Sequence, residues 1–463
     1  MKVRHYDAIV IGSGGGLKIA LPAAEQGYRT ALIEPDAFGG TCLNRGCIPS
    51  KMLIYPTEFA DRIRNAGELN LLVSNAPRID FAALIARISQ TIDGISESIR
   101  LRCHATDNLD VYPEYARFTA EGTLRAGNTE LTGDRIFIAT GSRPEIPDIP
   151  GLAGTPYLTS RQALRRAELP RTPIVLGGGY IAVELGNAWR AAGSHTTFLV
   201  RSRLLRREDR EIATVFTTLF ERRNKVIQGF QPVSVRHDGG MFTVTGRTPD
   251  APLQTVRGDV LLVATGVRPN TEGLDLENAG IETTPTGHIK VDDCLRTRAA
   301  GVYALGDVIG RHLFRHTVNR EGEYLLRTAF SGRDPDPLDY GPVPHAVFGD
   351  PEVAGVGMTE ESAQANGENY VIGRANYAES NQGLARQLHG GLCKLVVNRP
   401  SRRLLGAHLV GDEAATMIHL LILLMKTGGT IDDLLDMTFI HPPLPEIVRD
   451  AARDARDKMD FTP

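Results

Sequence analysis

Twice in this chain of 463 residues a short apolar strand runs into a glycine cluster, then a helix, then a second strand. The first copy is a strand from Tyr6 to Ile11, in which Ala8-Ile9-Val10-Ile11 is contiguous and apolar, the turn Gly12-Ser13-Gly14-Gly15-Gly16, a helical stretch to Gly27, and the strand from Thr30 to Ile33 that ends at Glu34. The second copy lies about 165 residues later: a strand from Pro173 to Leu176, the turn Gly177-Gly178-Gly179, a helix from Tyr180 to Ala192 and a strand from Thr196 to Val200. In such a unit backbone N–H groups, unshielded by Cβ atoms, approach a pyrophosphate that the helix N-terminus favours. Two copies imply two nucleotide-binding domains in one chain. From about Tyr340 the texture changes. Val343 to Phe348, Gly391 to Val397 and Leu404 to Val410 read as antiparallel strands, and Ala414 to Thr427 as an amphipathic helix. The predicted class is α/β, with two Rossmann-like nucleotide-binding domains and a C-terminal α+β domain.

The two units end their second strands in opposite charges. Glu34 lies 20 residues after Gly14, where a carboxylate can accept the hydroxyls of a bare ribose. Gly12, Gly14 and Gly15 are the candidate cradle. The pattern departs at Leu17, which stands where a third glycine usually lets helix and strand touch, and at Pro22, which removes a helical hydrogen bond. Both departures predict a shifted or kinked first helix. The second turn, Gly177-x-Gly179-x-x-Ala182, precedes a strand ending in Val200-Arg201, with Arg203, Arg206 and Arg207 beyond. Cations in place of a carboxylate suit a ribose 2′-phosphate, so NADP is favoured over NAD; the alternative is a solvated basic loop.

Composition excludes other classes. With 52 basic and 55 acidic residues the net charge is −3, which calls for neither nucleic acid nor an anionic membrane as partner. No apolar run approaches the ~18 residues of a membrane span, and the first residues lack a signal-peptide pattern, so a cytoplasmic protein is expected. Five cysteines do not make a disulfide scaffold, and Cys103, Cys294 and Cys393 read as packing residues. Nothing in the residue pattern calls for a metal.

Cys42 and Cys47 stand apart, in Gly39-Gly40-Thr41-Cys42-Leu43-Asn44-Arg45-Gly46-Cys47-Ile48-Pro49-Ser50-Lys51. On a regular helix, residues five apart are separated by ~7.5 Å along the axis and ~140° around it. That geometry cannot close a disulfide, so pairing requires a distorted turn, for which Gly46 and Pro49 supply the means. Buried thiols or half of a metal site are the alternatives. A second constellation is His441 with Glu446 in a proline-rich stretch: an imidazole can move protons at neutral pH and a carboxylate can orient it, although a lone histidine there is more often a surface or packing residue.

These motifs together resemble the pyridine nucleotide-disulfide oxidoreductases, the family of dihydrolipoamide dehydrogenase and of glutathione, mycothione and mercuric reductases. The resemblance covers nearly the whole chain. It adds Ala139-Thr140-Gly141, Ala264-Thr265-Gly266 and Ala304-Leu305-Gly306-Asp307 to the stretches above. It implies an FAD domain with the redox cysteines at 1–145, an NAD(P) domain at 146–270, a central domain at 271–340 and an interface domain at 341–463. It also implies a disulfide between Cys42 and Cys47, with Cys42 as the interchange thiol and Cys47 as a charge-transfer thiolate against the flavin. Lys51 and Glu184 match an ion pair near the flavin, and Asp307 the acid that binds its ribityl chain. Gly12, Gly14, Gly15, Glu34, Gly40, Thr41, Lys51, Gly141 and Asp307 form the implied FAD set. Gly177, Gly179, Tyr180, Arg201, Arg206 and Gly266 form the NAD(P) set, with Tyr180 as an aromatic gate.

In the family His441 and Glu446 correspond to an acid/base dyad that serves the partner chain's Cys42, so a homodimer is implied. Mercuric reductase is disfavoured because no Cys pair ends the chain, and soluble transhydrogenase because it lacks the paired thiols. Leu43, Ile48 and Ser50 lean to dihydrolipoamide dehydrogenase, whose substrate sits on a lipoyl domain. The stretch from Ile440 to Glu446 and the nucleotide site lean to mycothione reductase, and the stretch from Gly179 to Glu184 to glutathione reductase. The first expectation is a dihydrolipoamide dehydrogenase-type enzyme, the second an NADPH-dependent reductase of a small disulfide. A flavin-binding redox sensor without turnover is the reading outside catalysis.

Overall fold

The computed structural model describes residues 3–460 and divides into two compact units. One takes the chain up to Ser50, then Ile85–Glu145 and Gly266–Tyr340; the other takes Lys51–Leu84, Ile146–Thr265 and Gly341 onward.

The first unit is built on a parallel five-stranded sheet. Its strands lie in the order Val302–Ala304, Ile136–Ile138, Ala8–Ile11, Thr30–Ile33 and Leu109–Tyr112. Ala8–Ile11 and Thr30–Ile33 are buried along their whole length, as expected of strands covered on both faces. The chain steps from Ala8–Ile11 to Thr30–Ile33 on one side and later to Ile136–Ile138 on the other. That reversal opens a crevice at the carboxyl end of Ala8–Ile11, where Gly12 begins the turn. The apolar run read as one strand from Tyr6 is two. Val3–Tyr6 pairs with Thr129–Gly133 in a separate four-stranded sheet. The break falls at Asp7, which receives the Arg29 backbone N–H on its carboxylate at 2.7 Å.

The first helix, Leu17–Glu25, contains Pro22, and it corrects the expectation drawn from Leu17. The close approach of helix and strand falls on Gly16: a Cβ there would lie 2.2 Å from the Gly12 carbonyl oxygen and 2.5 Å from Val10 Cγ1. Leu17, one residue on, packs partly buried against the core, so the missing glycine need not push the helix off the sheet. The helix also lies against Arg315–Thr328, where a Cβ on Gly322 would come 2.6 Å from Lys18 Cβ.

The second unit repeats the topology. Its parallel sheet runs Lys225–Gln228, Thr197–Val200, Ile174–Leu176, Leu261–Val263, so Ile174–Leu176 is the switch strand and Gly177 begins its turn. The helix Tyr180–Ala192 docks through Gly186, whose absent Cβ makes room for Phe198. A three-stranded antiparallel sheet, Gln231–Asp238, Met241–Thr248 and Ala251–Gly258, is not evident from the residue pattern; much of its face is exposed and carries little apolar alternation. The C-terminal part is a five-stranded sheet, Pro344–Val347, Val353–Gly357, Leu404–Val410, Leu392–Asn398 and Tyr370–Asn376. Helices Ala414–Thr427 and Glu446–Asp460 share its apolar core. Among the described residues no helix is long and apolar enough to cross a membrane.

Candidate active site

The first glycine turn is tied to the cysteine segment by a residue that sequence spacing does not mark. Ser13 donates to Glu34 Oε2 through both its backbone N–H (2.8 Å) and its hydroxyl (2.7 Å), and accepts from the Gly39 N–H at 3.0 Å. Glu34 is nearly buried, and its Oε1 accepts from the Asp36 N–H at 3.0 Å. Two backbones meet here without side chains between them. Gly40 has φ +69°, and a Cβ on it would sit 2.6 Å from Gly14 Cα. Any side chain at Gly40 would therefore displace the turn.

Gly40–Arg45, the short helix with Thr41 and Cys42, is held by Asn44, whose amide donates to the carbonyls of Phe38 (2.9 Å) and Gly40 (3.0 Å). It stops at Gly46, where φ is −140° and ψ −118°, and the helix Cys47–Arg64 then begins. The distortion expected of a usable cysteine pair is thus a full helix break, and it falls between the two sulfurs. A Cβ on Gly46 would lie 3.3 Å from Cys42 Cα, so the break also folds the chain back on Cys42. Cys42 is half-buried and Cys47 exposed.

Along the helix Cys47–Arg64, Lys51 Nζ donates to Glu184 Oε2 at 2.8 Å and Oε1 at 3.0 Å, and lies 4.4 Å from the Phe348 ring centroid. Glu184 is buried on the helix Tyr180–Ala192 and also accepts the Phe348 N–H at 3.1 Å. Two turns beyond Lys51, burial pushes the Glu58 carboxyl up to about 8, and the charge of Asp350 acts in the same direction. A carboxyl raised in the folded state binds its proton more tightly there than in the unfolded chain. Its contribution is complete below the ordinary carboxylate range and is lost as pH rises toward 8. Glu58→Gln is therefore expected to raise stability above pH 8 by roughly 2–4 kcal/mol and to flatten the decline between pH 5 and 8. Thermal melts of both proteins across that range check this; parallel curves would show that Glu58 is an ordinary carboxylate.

Asp307 comes just after the strand Val302–Ala304. Burial raises its carboxyl above the usual range, and it accepts the Ser142 hydroxyl at 2.5 Å. The backbone before it is held by Glu321, fully buried, which takes the Gly306 N–H at 2.6 Å and the Tyr340 hydroxyl at 2.6 Å. Neither Ser142 nor Glu321 is marked by spacing. Gly141 has φ +69° with open space beside it. Gly266, assigned from sequence to the second nucleotide site, lies in the first unit. Its carbonyl accepts the Glu145 N–H at 2.9 Å, beside the paired strands Val267–Pro269 and Ser142–Pro144.

The second turn has the same construction as the first. Gly177 has φ +136°, and a Cβ on it would lie 2.2 Å from the Ala264 carbonyl oxygen; Gly179 has nothing within 4 Å of a Cβ, leaving open backbone at the helix start. Tyr180 is 42% exposed. The arginine segment closes over this turn. Leu204 and Leu205 are buried, and the Leu205 N–H donates to the Gly178 carbonyl at 2.7 Å. Leu205 holds φ +46°, a strained value for a branched side chain that only such anchoring maintains. Arg203 donates to the Arg206 carbonyl at 3.0 Å. Arg201, Arg206 and Arg207 make no side-chain hydrogen bond or ion pair among the described residues, and Arg201 and Arg206 are exposed.

His441 Nδ1 lies 3.0 Å from Glu446 Oε2, with its ring 67% exposed and Glu446 7% exposed. Glu446 starts the helix Glu446–Asp460 and also accepts Arg449 Nη1 at 2.7 Å. Burial alone would raise its carboxyl; His441 and Arg449 outweigh that and hold it below the usual carboxylate range. The imidazole is thereby fixed by one nitrogen and presents Nε2 outward.

The sequence and the fold are those of a known family. The profile of pyridine nucleotide-disulphide oxidoreductases matches residues 6–323, and that of their dimerisation domain residues 343–452. The chain is 36% identical to a mycothione reductase of Mycobacterium tuberculosis, over 96% of this chain and 98% of that protein. It is 34% identical to a dihydrolipoyl dehydrogenase of Chlorobaculum parvum, over 97% and 96%. Among solved structures it resembles the HOCl-induced flavoprotein disulfide reductase RclA from Escherichia coli, with a TM-score of 0.85, 31% identity, and 97% and 99% of the two chains covered. The chain therefore belongs to the pyridine nucleotide-disulphide oxidoreductase family, FAD-dependent enzymes that act on sulfur groups with a pyridine nucleotide. Its residues fit both cofactors: the second glycine turn leaves open backbone at Gly179 where its helix starts, the first carries no side-chain carbon from Gly14 to Gly16 at its helix start, and Glu34 and Asp307 offer carboxylates held by neighbouring hydroxyls.

Proposed function

We propose that this protein is an FAD-dependent reductase of a low-molecular-weight disulfide, driven by NADPH. The observation that carries the reading is the arginine segment, with Arg201 and Arg206 exposed and, among the described residues, unpartnered beyond the second glycine turn. Cations held without counter-charges on an anchored loop suit a 2′-phosphate and have no task toward a bare ribose.

In this reading Glu34 and Asp307 would hold FAD by its ribose and ribityl hydroxyls, and Lys51, oriented by Glu184, would supply the positive charge the flavin calls for. FAD supplies the two-electron relay between the nicotinamide and sulfur. Cys42 attacks the substrate disulfide as a thiolate, forming a mixed disulfide and releasing one substrate thiol; Cys47 then displaces the second thiol and closes the Cys42–Cys47 bond. His441, steadied by Glu446, gives a proton to each leaving thiolate. The dimerisation domain supports a homodimer, and in this reading His441 serves Cys42 of the second copy.

A dihydrolipoyl dehydrogenase is the second reading, favoured by Leu43, Ile48 and Ser50 around the cysteines. One matrix separates the two: NADH and NADPH against lipoamide, glutathione disulfide and mycothiol disulfide. Two charge-assisted hydrogen bonds to a partly exposed phosphate predict a kcat/KM for NADPH about tenfold or more above that for NADH. Arg201→Glu is expected to swing the preference toward NADH. A wild-type preference for NADH, together with turnover of lipoamide, would establish the dehydrogenase.

A further inference from the structure

Glu208 comes directly after the arginines and is the nearest carboxylate in sequence to Arg206 and Arg207. An unrestrained glutamate there would compete with any phosphate for the same cations. The structure holds it elsewhere. Its Oε2 lies 2.7 Å from His345 Nε2, and its side chain is only 9% exposed. His345 stands on Pro344–Val347, the first strand of the C-terminal sheet, opposite Gly355. A Cβ at Gly355 would lie 2.8 Å from His345 Nε2, so the glycine is what lets the ring sit there.

The next residue is pinned still more firmly. Asp209 is fully buried and caps the helix Arg210–Glu221 by accepting the N–H groups of Glu211 (3.0 Å) and Ile212 (3.3 Å). It also accepts Lys394 Nζ at 2.9 Å and the Glu360 N–H at 3.0 Å. Lys394, 1% exposed, reaches Glu211 at 3.0 Å and Glu360 at 2.6 Å as well. The loop is thus tied at Leu205 to Gly178 and at its end to the C-terminal sheet, and both of its acids are drawn toward that sheet.

We propose that His345 is a specificity-determining residue: by sequestering the Glu208 carboxylate it leaves Arg201 and Arg206 unneutralised for a nucleotide 2′-phosphate. The inference rests on the reading of those arginines as a phosphate site. It differs from simple structural support in one consequence. If His345 acts by holding a charge away, removing that charge must cancel the effect of removing His345.

The test is a double-mutant cycle read by calorimetric binding of 2′,5′-ADP and 5′-ADP to the FAD-loaded protein. His345→Leu, which removes the donor, is expected to weaken 2′,5′-ADP binding by about fivefold, the scale of one added surface ion pair, and to leave 5′-ADP binding as it was. His345→Leu with Glu208→Gln should return to within about twofold of wild type. His345→Ala repeats the first arm with a smaller side chain, and melting curves show that each variant is folded. A double variant as weak as the single one, or a single variant with unchanged 2′,5′-ADP affinity, would overturn the proposal. Wild-type protein that binds the two ligands equally would instead overturn the arginine reading, and the inference with it.

Discussion

Replacing either Cys42 or Cys47 with serine is expected to lower disulfide reduction by at least ~10³-fold, with FAD retained and NADPH-driven reduction of ferricyanide preserved. In the proposed reaction both sulfurs are needed because one S–S bond breaks and another forms, and a hydroxyl can neither attack the substrate disulfide nor resolve the mixed one. The helix break at Gly46 releases two residues five apart from the helical separation that would forbid such a bond. The variants also differ from each other. Cys42→Ser, which keeps Cys47, should show a long-wavelength absorption band without added reductant, and Cys47→Ser should show none. Retention of a tenth or more of the disulfide activity in either variant would remove the thiols from the reaction.

His441→Ala is expected to cost ~10²- to 10⁴-fold in disulfide turnover, again with ferricyanide reduction preserved, because only the proton transfer to the leaving thiolates is lost. Glu446→Gln should cost less, since the amide oxygen can still hold Nδ1 in place. The Glu446 carboxyl is held below its usual range, so its support is complete above that range and disappears as pH falls through the lowered value. Mixing Cys42→Ser with His441→Ala subunits tests the dimer directly. A verified heterodimer has one site with both groups intact and should recover turnover that neither parent shows. No recovery would mean that His441 and Cys42 act within one chain.

How much of the fold and site is legible in sequence depends on how far each feature reaches along the chain. The glycine turns are readable because strand, turn and helix are contiguous, and Gly12 and Gly177 do occupy left-handed φ values against the carbonyls of Ala139 and Ala264. Helix Ala414–Thr427 is readable to the residue, because its apolar face repeats at helical spacing over 14 residues. His441 and Glu446 are five apart and meet in one turn. The Lys51–Glu184 pair emerges only through resemblance, as its members are 133 residues apart and no local pattern joins them.

The residues alone therefore determined the two nucleotide-binding units, the helix-breaking cysteine segment and the arginines in place of an acid, all of them consequences of backbone freedom, side-chain periodicity or local charge. Tertiary structure decided which residue absorbs a departure from pattern: Leu17 reads as disruptive, yet Gly16 carries the close contact with Val10 and Gly12. It also decided which hydroxyl or carboxylate steadies each site residue. Ser13 joins Glu34 to Gly39, Glu321 holds Gly306, and His345 draws Glu208 aside across 137 positions of sequence. Such partners are chosen by the need of a buried polar group for a complementary neighbour in space, and that need has no period along the chain.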